Sequence, residues 1–369
     1  MVKPVLLLRH EEKPLEHRSA LTPTTTKKLI EAGFYVFVER SNMRAFDDSE
    51  FEKAGATLLP TGYWMRAPPD WIIIGLKELP EDKFGLSHRM TRKLTFCSKN
   101  QDGWQDVLSR FPKGNGTLYD LEFLVDQKGR RVAAFGYHAG YAGAALSIKA
   151  WALQQKGKKL GAVEPYKNQD ILVSDVKDAL KASGKIPGIF IMGALGRCGS
   201  GAKDFCQQVG IPESSMIKWD IQETSKRSGP YPEIVSSDIF INCIYLTKKF
   251  PPFIDAASLS KNRKLSMIVD VSCDYNSPNN PVPIPNYNTC TDFCDPLLSL
   301  PQFQNPPLSV IAIDHLPSLL PRESSEDYSG TLLPTLLTLP DGPVWKRAEE
   351  TFKRHVSRLP TEKQFRSKL

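Results

Sequence analysis

The fold is indicated most clearly by the stretch Gly188-Ile189-Phe190-Ile191-Met192-Gly193-Ala194-Leu195-Gly196-Arg197-Cys198-Gly199-Ser200-Gly201. An apolar run typical of a buried strand leads here into a glycine-rich turn that opens a helix. Gly193, Gly196 and Gly199 would let the backbone approach a pyrophosphate, which the N–H groups of a helix N-terminus bind. The spacing is G-x2-G-x2-G, whereas the dinucleotide fingerprint is G-x-G-x2-G. Glycine-rich turns also serve ordinary strand–helix packing, so the turn alone does not decide the function.

An acidic residue follows at the end of the next predicted strand. Asp220 lies about 20 residues beyond the last glycine of the turn, where a carboxylate accepts hydrogen bonds from the adenosine ribose and repels a 2′-phosphate. This position favours NAD over NADP. The alternative is that Asp220 caps a helix or lies in a solvated loop.

Strand and helix patterns alternate on both sides of this stretch. Predicted strands cover residues 5–8, 35–39, 71–76, 188–192, 215–219, 238–243, 267–271 and 310–313. Thr22-Pro23-Thr24 supplies the start of a helix, and residues 137–155 form a long helix whose Gly and Ala content allows close packing. Residues 275–288 and 300–307 are predicted to be irregular loops. The alternation favours an α/β fold with parallel sheets, and 369 residues suffice for two domains.

Composition excludes several classes of protein. The net charge is +7, but neither finger spacing nor interleaved arginine and aromatic residues indicate a nucleic-acid partner. No apolar run is long enough to span a bilayer, so no membrane association is expected. The seven cysteines show no zinc-type spacing, and we expect no metal site.

The last three residues, Ser367, Lys368 and Leu369, form a peroxisomal address that an import receptor reads at a free C-terminus. No N-terminal stretch has the form of a secretory signal peptide. We therefore expect the peroxisome as the location, with the cytoplasm as a second one. We expect the protein to be a monomer.

Longer blocks of sequence reveal a family resemblance. The chain resembles the fungal, lysine-forming saccharopine dehydrogenases in the following blocks, which extend almost from end to end: Leu8-Arg9, Lys13-Pro14-Leu15-Glu16-His17-Arg18-Ser19-Ala20-Leu21-Thr22-Pro23, Ile73-Ile74-Gly75-Leu76-Lys77-Glu78, Gly116-Thr117-Leu118-Tyr119-Asp120-Leu121-Glu122, Gly129-Arg130-Arg131-Val132-Ala133-Ala134-Phe135-Gly136, and Ile313-Asp314-His315-Leu316-Pro317-Ser318-Leu319-Leu320-Pro321-Arg322-Glu323.

The resemblance implies a reaction and an architecture. Saccharopine, a secondary amine joining lysine to a glutarate unit, would be oxidised with NAD and hydrolysed to lysine and 2-oxoglutarate. The implied fold has two Rossmann-like doubly wound domains with an interdomain cleft. The substrate domain would comprise residues 1–134 and 322–369, and the NAD-binding domain residues 135–321.

The resemblance also implies roles for single residues. Lys77 matches the base that takes the proton of the amine, and Glu78 and Glu122 match acids that tune it. A lysine is a base near neutral pH only where burial or neighbouring cations lower its pKa. Without the resemblance, Lys77 would be interpreted as a surface residue at a strand end.

Further positions match the pockets for the two ligands. The substrate positions are Arg18, Phe96, Gln101, Arg131, Phe135, Ser272, Cys273 and Asp274. The cofactor positions are Arg130, Gly193, Gly196, Arg197, Gly199, Asp220, Thr224, Tyr245, Val271, Ile313, Asp314, His315 and Leu316. Cys198 and Cys243 match a pair that can form a disulfide at the cofactor site; the alternative is two small buried residues beside tight turns.

One block departs from the family. Leu94-Thr95-Phe96-Cys97-Ser98-Lys99 places Phe96 where the family has an acid–base histidine, and Cys273 stands where alanine is common. General acid–base help is typically worth ~10²–10⁴-fold, so the hydrolytic steps should be slower unless His10, His17 or His138 compensates. Three functions remain open: a slower saccharopine dehydrogenase, an amine or imine oxidoreductase acting on another amino-acid conjugate in specialised metabolism, and an NAD(H)-binding pseudoenzyme.

Overall fold

The computed structural model describes residues 3–77, 79, 86, 89–92 and 104–360. The chain divides into two compact units: one contains Met1–Ala134 and Pro321–Leu369, the other Phe135–Leu320. The predicted boundary, with residue 321 in the second domain, is one residue late. Pro321 is the first residue of a helix that belongs to the first unit, so the division falls before it.

In chain order, the described elements begin with β1 (Val5–Leu8), α1 (Pro23–Glu31), β2 (Tyr35–Glu39), α2 (Asp48–Lys53), β3 (Thr57–Leu59), a 3₁₀ helix (Tyr63–Arg66), β4 (Ile72–Ile74), β5 (Arg89–Arg92), α3 (Trp104–Lys113) and β6 (Thr117–Asp120). They continue with α4 (Gly136–Gln154), α5 (Gln169–Ser183), β7 (Ile189–Met192), α6 (Arg197–Gln208), a 3₁₀ helix (Glu213–Ser215), β8 (Met216–Trp219), α7 (Ile221–Thr224), α8 (Pro232–Val235), β9 (Ile239–Asn242), α9 (Ala256–Leu259), β10 (Met267–Asp270), β11 (Leu298–Gln304), β12 (Pro307–Ile311) and a 3₁₀ helix (Leu316–Leu319). The last two are α10 (Pro321–Leu336) and α11 (Pro343–Val356).

The first unit contains a parallel sheet whose described strands run in the order β3-β2-β1-β4-β5-β6. Its centre is apolar on both faces, with three consecutive buried residues at the end of β1 and three in β4, as a parallel sheet covered by helices requires. Helix α1 begins as predicted: Thr22 accepts a hydrogen bond from Thr25 N, and Pro23 occupies the first turn. The strand order reverses between β1 and β4, which places a topological switch point at their carboxyl ends.

The second unit contains a sheet whose described strands run in the order β11-β12-β10-β9-β7-β8, with β11 alone antiparallel to its neighbour. Alternate residues of its central strands face two separate cores. Ile189 and Ile191 pack in one core, while Phe190 and Met192 pack in the other. The sheet is therefore buried on both faces, and together the two units confirm the predicted Rossmann-like α/β class.

The prediction of an irregular loop at residues 300–307 is wrong. Residues 298–304 form β11, and β12 begins at Pro307, so most of this segment is a β-hairpin. Pro301 and Pro307 suggested a loop because proline cannot donate to a sheet. β11 is an edge strand with one side without described sheet partners, so it accommodates Pro301, and Pro307 is tolerated because it is the first residue of β12.

Among the described residues, no helix is both long and apolar enough to cross a lipid bilayer. Within the same part of the chain, no group of three or more His, Cys, Asp or Glu side chains is arranged to hold a metal ion.

Candidate active site and dinucleotide site

Lys77 lies just beyond the carboxyl end of β4, at the switch point of the first sheet. Its side chain is only 8% exposed, although lysine is rarely buried unless it is paired. The Nζ atom lies 3.8 Å from Oε2 of Glu16, whose side chain is buried too. The buried amine expected of a base is thus present, and its nearby carboxylate is one that the sequence did not predict.

Arg18 binds Glu16 in a bidentate ion pair. Arg18 donates from Nε to Oε1 at 2.8 Å and from Nη2 to Oε2 at 2.6 Å, and its backbone N–H donates to Oε1 at 3.1 Å. Bidentate pairs of this kind fix orientation as well as charge. The structure therefore engages Arg18 with a carboxylate of the protein, while its predicted contact with a substrate carboxylate stays a prediction.

The charges around Glu16 keep it ionised. Burial raises the pKa of the Glu16 carboxyl, but the charge and hydrogen bonds of Arg18 and the charge of Lys77 outweigh burial and lower the pKa from 4.5 to about 2. At neutral pH the cluster therefore contains one carboxylate, one guanidinium and the amine of Lys77.

This lowered pKa predicts how stability depends on pH. A carboxyl whose pKa falls on folding stabilises the protein above the unfolded pKa of 4.5 and loses that contribution as the pH falls through about 2. The gap in unfolding free energy between wild type and Glu16→Gln should therefore shrink by about 2 kcal/mol between pH 7 and pH 3. Urea unfolding across this range measures the gap. Glu31→Gln, in an exposed pair with Lys27, is the control and should show almost no change; an equally flat gap for Glu16→Gln would contradict the prediction.

A second charged group follows β6. Arg131 donates to Glu122 at 2.8 Å; the Glu122 side chain is buried, whereas Arg131 is 44% exposed. The Glu122 backbone N–H in turn donates to Asp120 at 2.8 Å. Glu122 thus holds Arg131 with its guanidinium partly accessible, which suits the predicted carboxylate binder.

Tyr328 of α10 was not predicted as a site residue. Its hydroxyl is close enough to both charged clusters, that of Arg18 and that of Arg131, for their charges to affect its pKa. Burial raises the pKa of its hydroxyl, Arg131 and Arg18 oppose that rise, and Asp120 and Glu122 add to it. The hydroxyl is therefore neutral at physiological pH. Its place in a helix about 200 residues downstream leaves no local sequence signal.

The three histidines weighed as substitutes lie in different surroundings. Nδ1 of His17 lies 2.6 Å from the Met43 carbonyl oxygen, and Nδ1 of His10 lies 3.0 Å from Ser41 Oγ. Because a carbonyl only accepts, Nδ1 of His17 carries a proton, which leaves Nε2 as the other functional nitrogen. His138 belongs to the second unit, where it is buried beside Tyr137 and Tyr141 in α4. A role of His10, His17 or His138 in place of the missing histidine stays a prediction from the sequence.

The phosphate-binding turn predicted in the second unit has tight backbone packing. Gly193 has φ +86°, and a Cβ on Gly199 would lie 2.2 Å from the carbonyl oxygen of Gly193. Gly196 is the N-cap of α6 and supplies no side-chain cap to the first N–H groups of the helix. Arg197 is exposed at the helix start. Only glycine fits the backbone crossing at Gly199, and the helix end remains without a side-chain cap, as an anion site requires.

Asp220 follows β8 and contacts this turn directly. Its Oδ2 accepts from the Leu195 backbone N–H at 3.0 Å, and its Oδ1 accepts from Ile221 N–H at 2.8 Å. Asp220 is therefore the N-cap of α7, with Glu223 completing a capping box. The structure thus shows the helix-capping role that was the alternative for Asp220, and its contact with a ribose stays a prediction.

The carboxyl ends of β9 and β10 carry a buried polar network that the sequence predicted only in part. Asp270 accepts from Asn242 Nδ2 at 2.9 Å, from Ser272 Oγ at 2.7 Å and from the Tyr287 hydroxyl at 2.7 Å. Burial and the Asp270 charge raise the pKa of Tyr287. Of these four residues only Ser272 was predicted, and its hydroxyl serves Asp270. A polar residue ending each of two neighbouring apolar strands was the available signal.

The other predicted positions are distributed as follows. Arg130 is exposed in the first unit and pairs with Asp126 at 2.8 Å. Phe135 is the N-cap of α4. In the second unit, Nδ1 of His315 lies 2.6 Å from Asp314 Oδ1. The side chains of Val271 and Leu316 both lie close to Gly143 of α4, where an added Cβ would be 3.4 Å and 3.5 Å from them. The remaining positions lie at or beyond strand ends or in a short helix: Asp274, Thr224, Tyr245 and Ile313. Glu78, Phe96 and Gln101, like Ser367, Lys368 and Leu369, lie outside the described residues.

The cysteines form two close pairs but no disulfide among the described residues. Cys198 and Cys243 are free thiols joined by a hydrogen bond in this structure, and the disulfide that the resemblance allows between them stays a prediction. Burial raises the pKa of Cys243, and a hydrogen bond with Cys198 raises it further, so the thiol form is favoured over the reactive thiolate. Cys273 forms a similar hydrogen bond with Cys290.

Comparison with known proteins now identifies the family. The chain is 56% identical to the NAD(+)-dependent, L-lysine-forming saccharopine dehydrogenase of Yarrowia lipolytica, over 97% of this chain and 100% of that protein. It is 56% identical to the protein of the same name from Candida glabrata, over 97% of this chain and 98% of that one. The chain belongs to the saccharopine dehydrogenase family.

More distant matches agree with the fold. The family described as "Alanine dehydrogenase/PNT, N-terminal domain" matches residues 7–142. The solved structure of an L-alanine dehydrogenase superposes with a TM-score of 0.62 at 17% identity, covering 96% of this chain and 95% of that one. A transhydrogenase from Sinorhizobium meliloti gives a TM-score of 0.61 at 16% identity over 91% of this chain and 94% of that one. These matches show that this chain shares its fold with an L-alanine dehydrogenase and a transhydrogenase.

Proposed function

We propose that this protein catalyses the NAD+-dependent conversion of saccharopine and water to L-lysine and 2-oxoglutarate, with Lys77 as the base. One observation carries the proposal: a buried lysine at the switch point of the first sheet, with its Nζ 3.8 Å from a carboxylate that Arg18 keeps ionised. Ligands of open α/β sheets bind at such switch points. The names of the similar enzymes supply the substrate.

The second unit fits NAD+. Gly199 would clash with its own turn if it carried a Cβ, and the N-terminus of α6 lacks a side-chain cap, so a pyrophosphate fits against Gly196 and Arg197. Asp220 is the residue to hold the ribose, because it directly follows β8 and already contacts the turn through Leu195. When bound, NAD+ supplies the hydride acceptor.

The residues of the first unit account for the proton and the substrate charge. Lys77, in its neutral form, takes the proton of the secondary amine at Nζ. Glu16 carries the charge that stabilises the resulting ammonium, and Arg18 keeps Glu16 ionised and oriented. Arg131 offers a partly exposed guanidinium, oriented by Glu122, to a substrate carboxylate.

The assay for this proposal is the oxidation of NADH by the purified chain with lysine and 2-oxoglutarate. Turnover with this pair supports saccharopine dehydrogenase activity, and its absence overturns it. A panel of other amines and 2-oxo acids then identifies an oxidoreductase of related substrates. Tight NADH binding without turnover on any member identifies a pseudoenzyme.

The substitution of Phe96 for the family histidine gives a separate prediction. Since phenylalanine carries no proton, we expect Phe96→His to raise turnover on saccharopine, by up to the ~10²–10⁴-fold typical of a general acid–base group. Phe96→Leu is the control, because it changes the side chain without adding a proton donor. Equal rates for wild type and Phe96→His would mean that another group already fills the role.

Cofactor preference tests the role of Asp220. Serine can still cap α7 but lacks the charge that binds a ribose and repels a 2′-phosphate. Asp220→Ser should weaken NADH binding about 10- to 100-fold, since a hydrogen bond to a charged group is worth roughly 1.5–3 kcal/mol, and should narrow the preference over NADPH. Fluorescence titration measures both affinities. Glu223→Gln, which alters only the capping box, should bind both dinucleotides as wild type does; the same loss there would reassign Asp220 to capping alone.

The peroxisomal address stays a prediction from the sequence. It would be tested with a fluorescent protein fused to the N-terminus, with and without residues 367–369.

A further inference from the structure

The backbone at Lys77 is held by a buried carboxylate from the loop after β1. Glu11 accepts from the Leu76 backbone N–H through Oε1 at 2.6 Å and from the Lys77 backbone N–H through Oε2 at 3.0 Å. A carboxylate can accept two consecutive N–H groups because each of its oxygens has two acceptor sites. Two donors beyond the end of β4 are thereby satisfied by one side chain.

Arg9 closes this arrangement from the other side. Its Nη2 donates to Glu11 Oε2 at 3.0 Å and to the Lys77 carbonyl oxygen at 2.6 Å. A Cβ on Gly75 would lie 2.4 Å from Arg9 Nε, so any larger residue at position 75 would displace the Arg9 side chain. Arg9 and Glu11 together hold both the N–H and the C=O of Lys77, and all three residues are buried.

We propose that Arg9 and Glu11 are positioning residues for the base. They fix the backbone from which the Lys77 side chain departs, and so keep Nζ beside Glu16. This inference rests on the proposed function of Lys77. Both residues act through their hydrogen bonds to the peptide groups of Lys77. In Glu11→Gln one carboxylate oxygen becomes an NH2 group that cannot accept, so the two N–H groups no longer each have their own acceptor oxygen, and Arg9 loses this ion pair.

The same unit provides a matched control. Glu39 is also buried and also accepts from two backbone N–H groups, of His10 at 2.8 Å and Trp64 at 2.6 Å. Glu39→Gln therefore causes a similar loss of buried charge and of backbone hydrogen bonding, but at His10 of the same loop and at Trp64 rather than at the peptide groups of Lys77. A purely structural role of Glu11 predicts the same behaviour for Glu11→Gln and Glu39→Gln.

The experiment compares these two variants with wild type by two measurements. The first is steady-state kinetics. Glu11→Gln should lower kcat about 10- to 100-fold, the cost of a misplaced reacting group, and leave the KM for NAD+ unchanged, while Glu39→Gln keeps the wild-type kcat.

The second measurement is the titration of the Lys77 amine. It is followed by NMR in protein labelled with ¹³C at lysine Cε, and the Lys77 signal is assigned with the Lys77→Met variant. Its charged neighbours in this cluster are Glu16 and Arg18, with Glu11 and Arg9 at its backbone. Its midpoint should fall by about one pH unit in Glu11→Gln, because losing the Glu11 charge and losing the contact with Glu16 both disfavour the ammonium form, and it should stay in place in Glu39→Gln.

The kinetics test the proposed function, and the Lys77 titration tests the positioning role, so a failure of one can be told from a failure of the other. Absent turnover in wild type overturns the proposed function but leaves the Lys77 titration as a test of positioning. An unchanged Lys77 midpoint in Glu11→Gln, or an equal change in Glu39→Gln, overturns the positioning role even if the enzyme is active. Should Glu11→Gln fail to fold, Glu11→Asp, which keeps the charge but shortens the reach to the two N–H groups, takes its place with the same expected outcomes.

Discussion

Lys77→Met should reduce turnover with lysine, 2-oxoglutarate and NADH by about 10²–10⁴-fold, the range typical of a lost general base. Methionine is unbranched like lysine and only one atom shorter, but it cannot accept a proton. Because the variant leaves the glycine turn of the second unit untouched, we expect NADH to bind as tightly as in wild type. Steady-state assays and a fluorescence titration of NADH measure the two quantities.

The control for this variant is Lys3→Met, which removes an amine of the same unit that donates to the Leu337 carbonyl oxygen at 3.2 Å. It should keep the wild-type rate. Adding primary amines should partly restore turnover in Lys77→Met if the missing group is a base. Wild-type turnover in Lys77→Met would remove Lys77 from the chemistry and leave Glu16 and Arg18 as a structural ion pair.

The sequence predicts Lys77 only through its family, and the structure explains why. Isolated at the end of an apolar strand, a lysine is as easily a surface residue as a base. What distinguishes Lys77 is Glu16, about 60 residues earlier in the chain, and the two meet because β1 and β4 are neighbours in the sheet. Strand order is a property of the whole unit, so no local pattern reveals the pair.

The dinucleotide turn was more predictable because its signal is local. A buried strand, a glycine turn and a helix follow one another within residues 188–201, and β7, the turn and α6 occupy these positions. The polar network at the ends of β9 and β10 was less predictable. Asp270 follows three apolar residues at the end of β10, and its link to Asn242 and Tyr287 depends on strand pairing and on a loop without periodicity. The hairpin containing β11 was missed for a related reason, since proline is informative about a strand only when its place in the sheet is known.

Gly140→Ala should strongly lower the stability of the second unit. The close packing predicted for the long helix is confirmed: a Cβ on Gly140 of α4 would lie 1.8 Å from the Cys198 carbonyl oxygen in the first turn of α6, and a Cβ on Gly201 would lie 1.9 Å from the Tyr137 carbonyl oxygen. The two helix backbones therefore touch at both positions. A methyl group must push them apart, and overpacking of this kind costs about 1–3 kcal/mol or more.

The displaced turn is the one that begins α6, where a pyrophosphate would bind. We therefore expect Gly140→Ala to weaken NADH binding at least about tenfold in addition to lowering the unfolding free energy, because anion binding depends on the placement of those N–H groups. Gly330→Ala is the matched control: it lies in helix α10 with no described atom within 4 Å of an added Cβ. There the substitution should be neutral or stabilising by up to about 1 kcal/mol, since alanine favours helix. If Gly140→Ala had the same unfolding free energy and the same affinity for NADH as Gly330→Ala, the contact between α4 and α6 would not be what holds the phosphate turn in place.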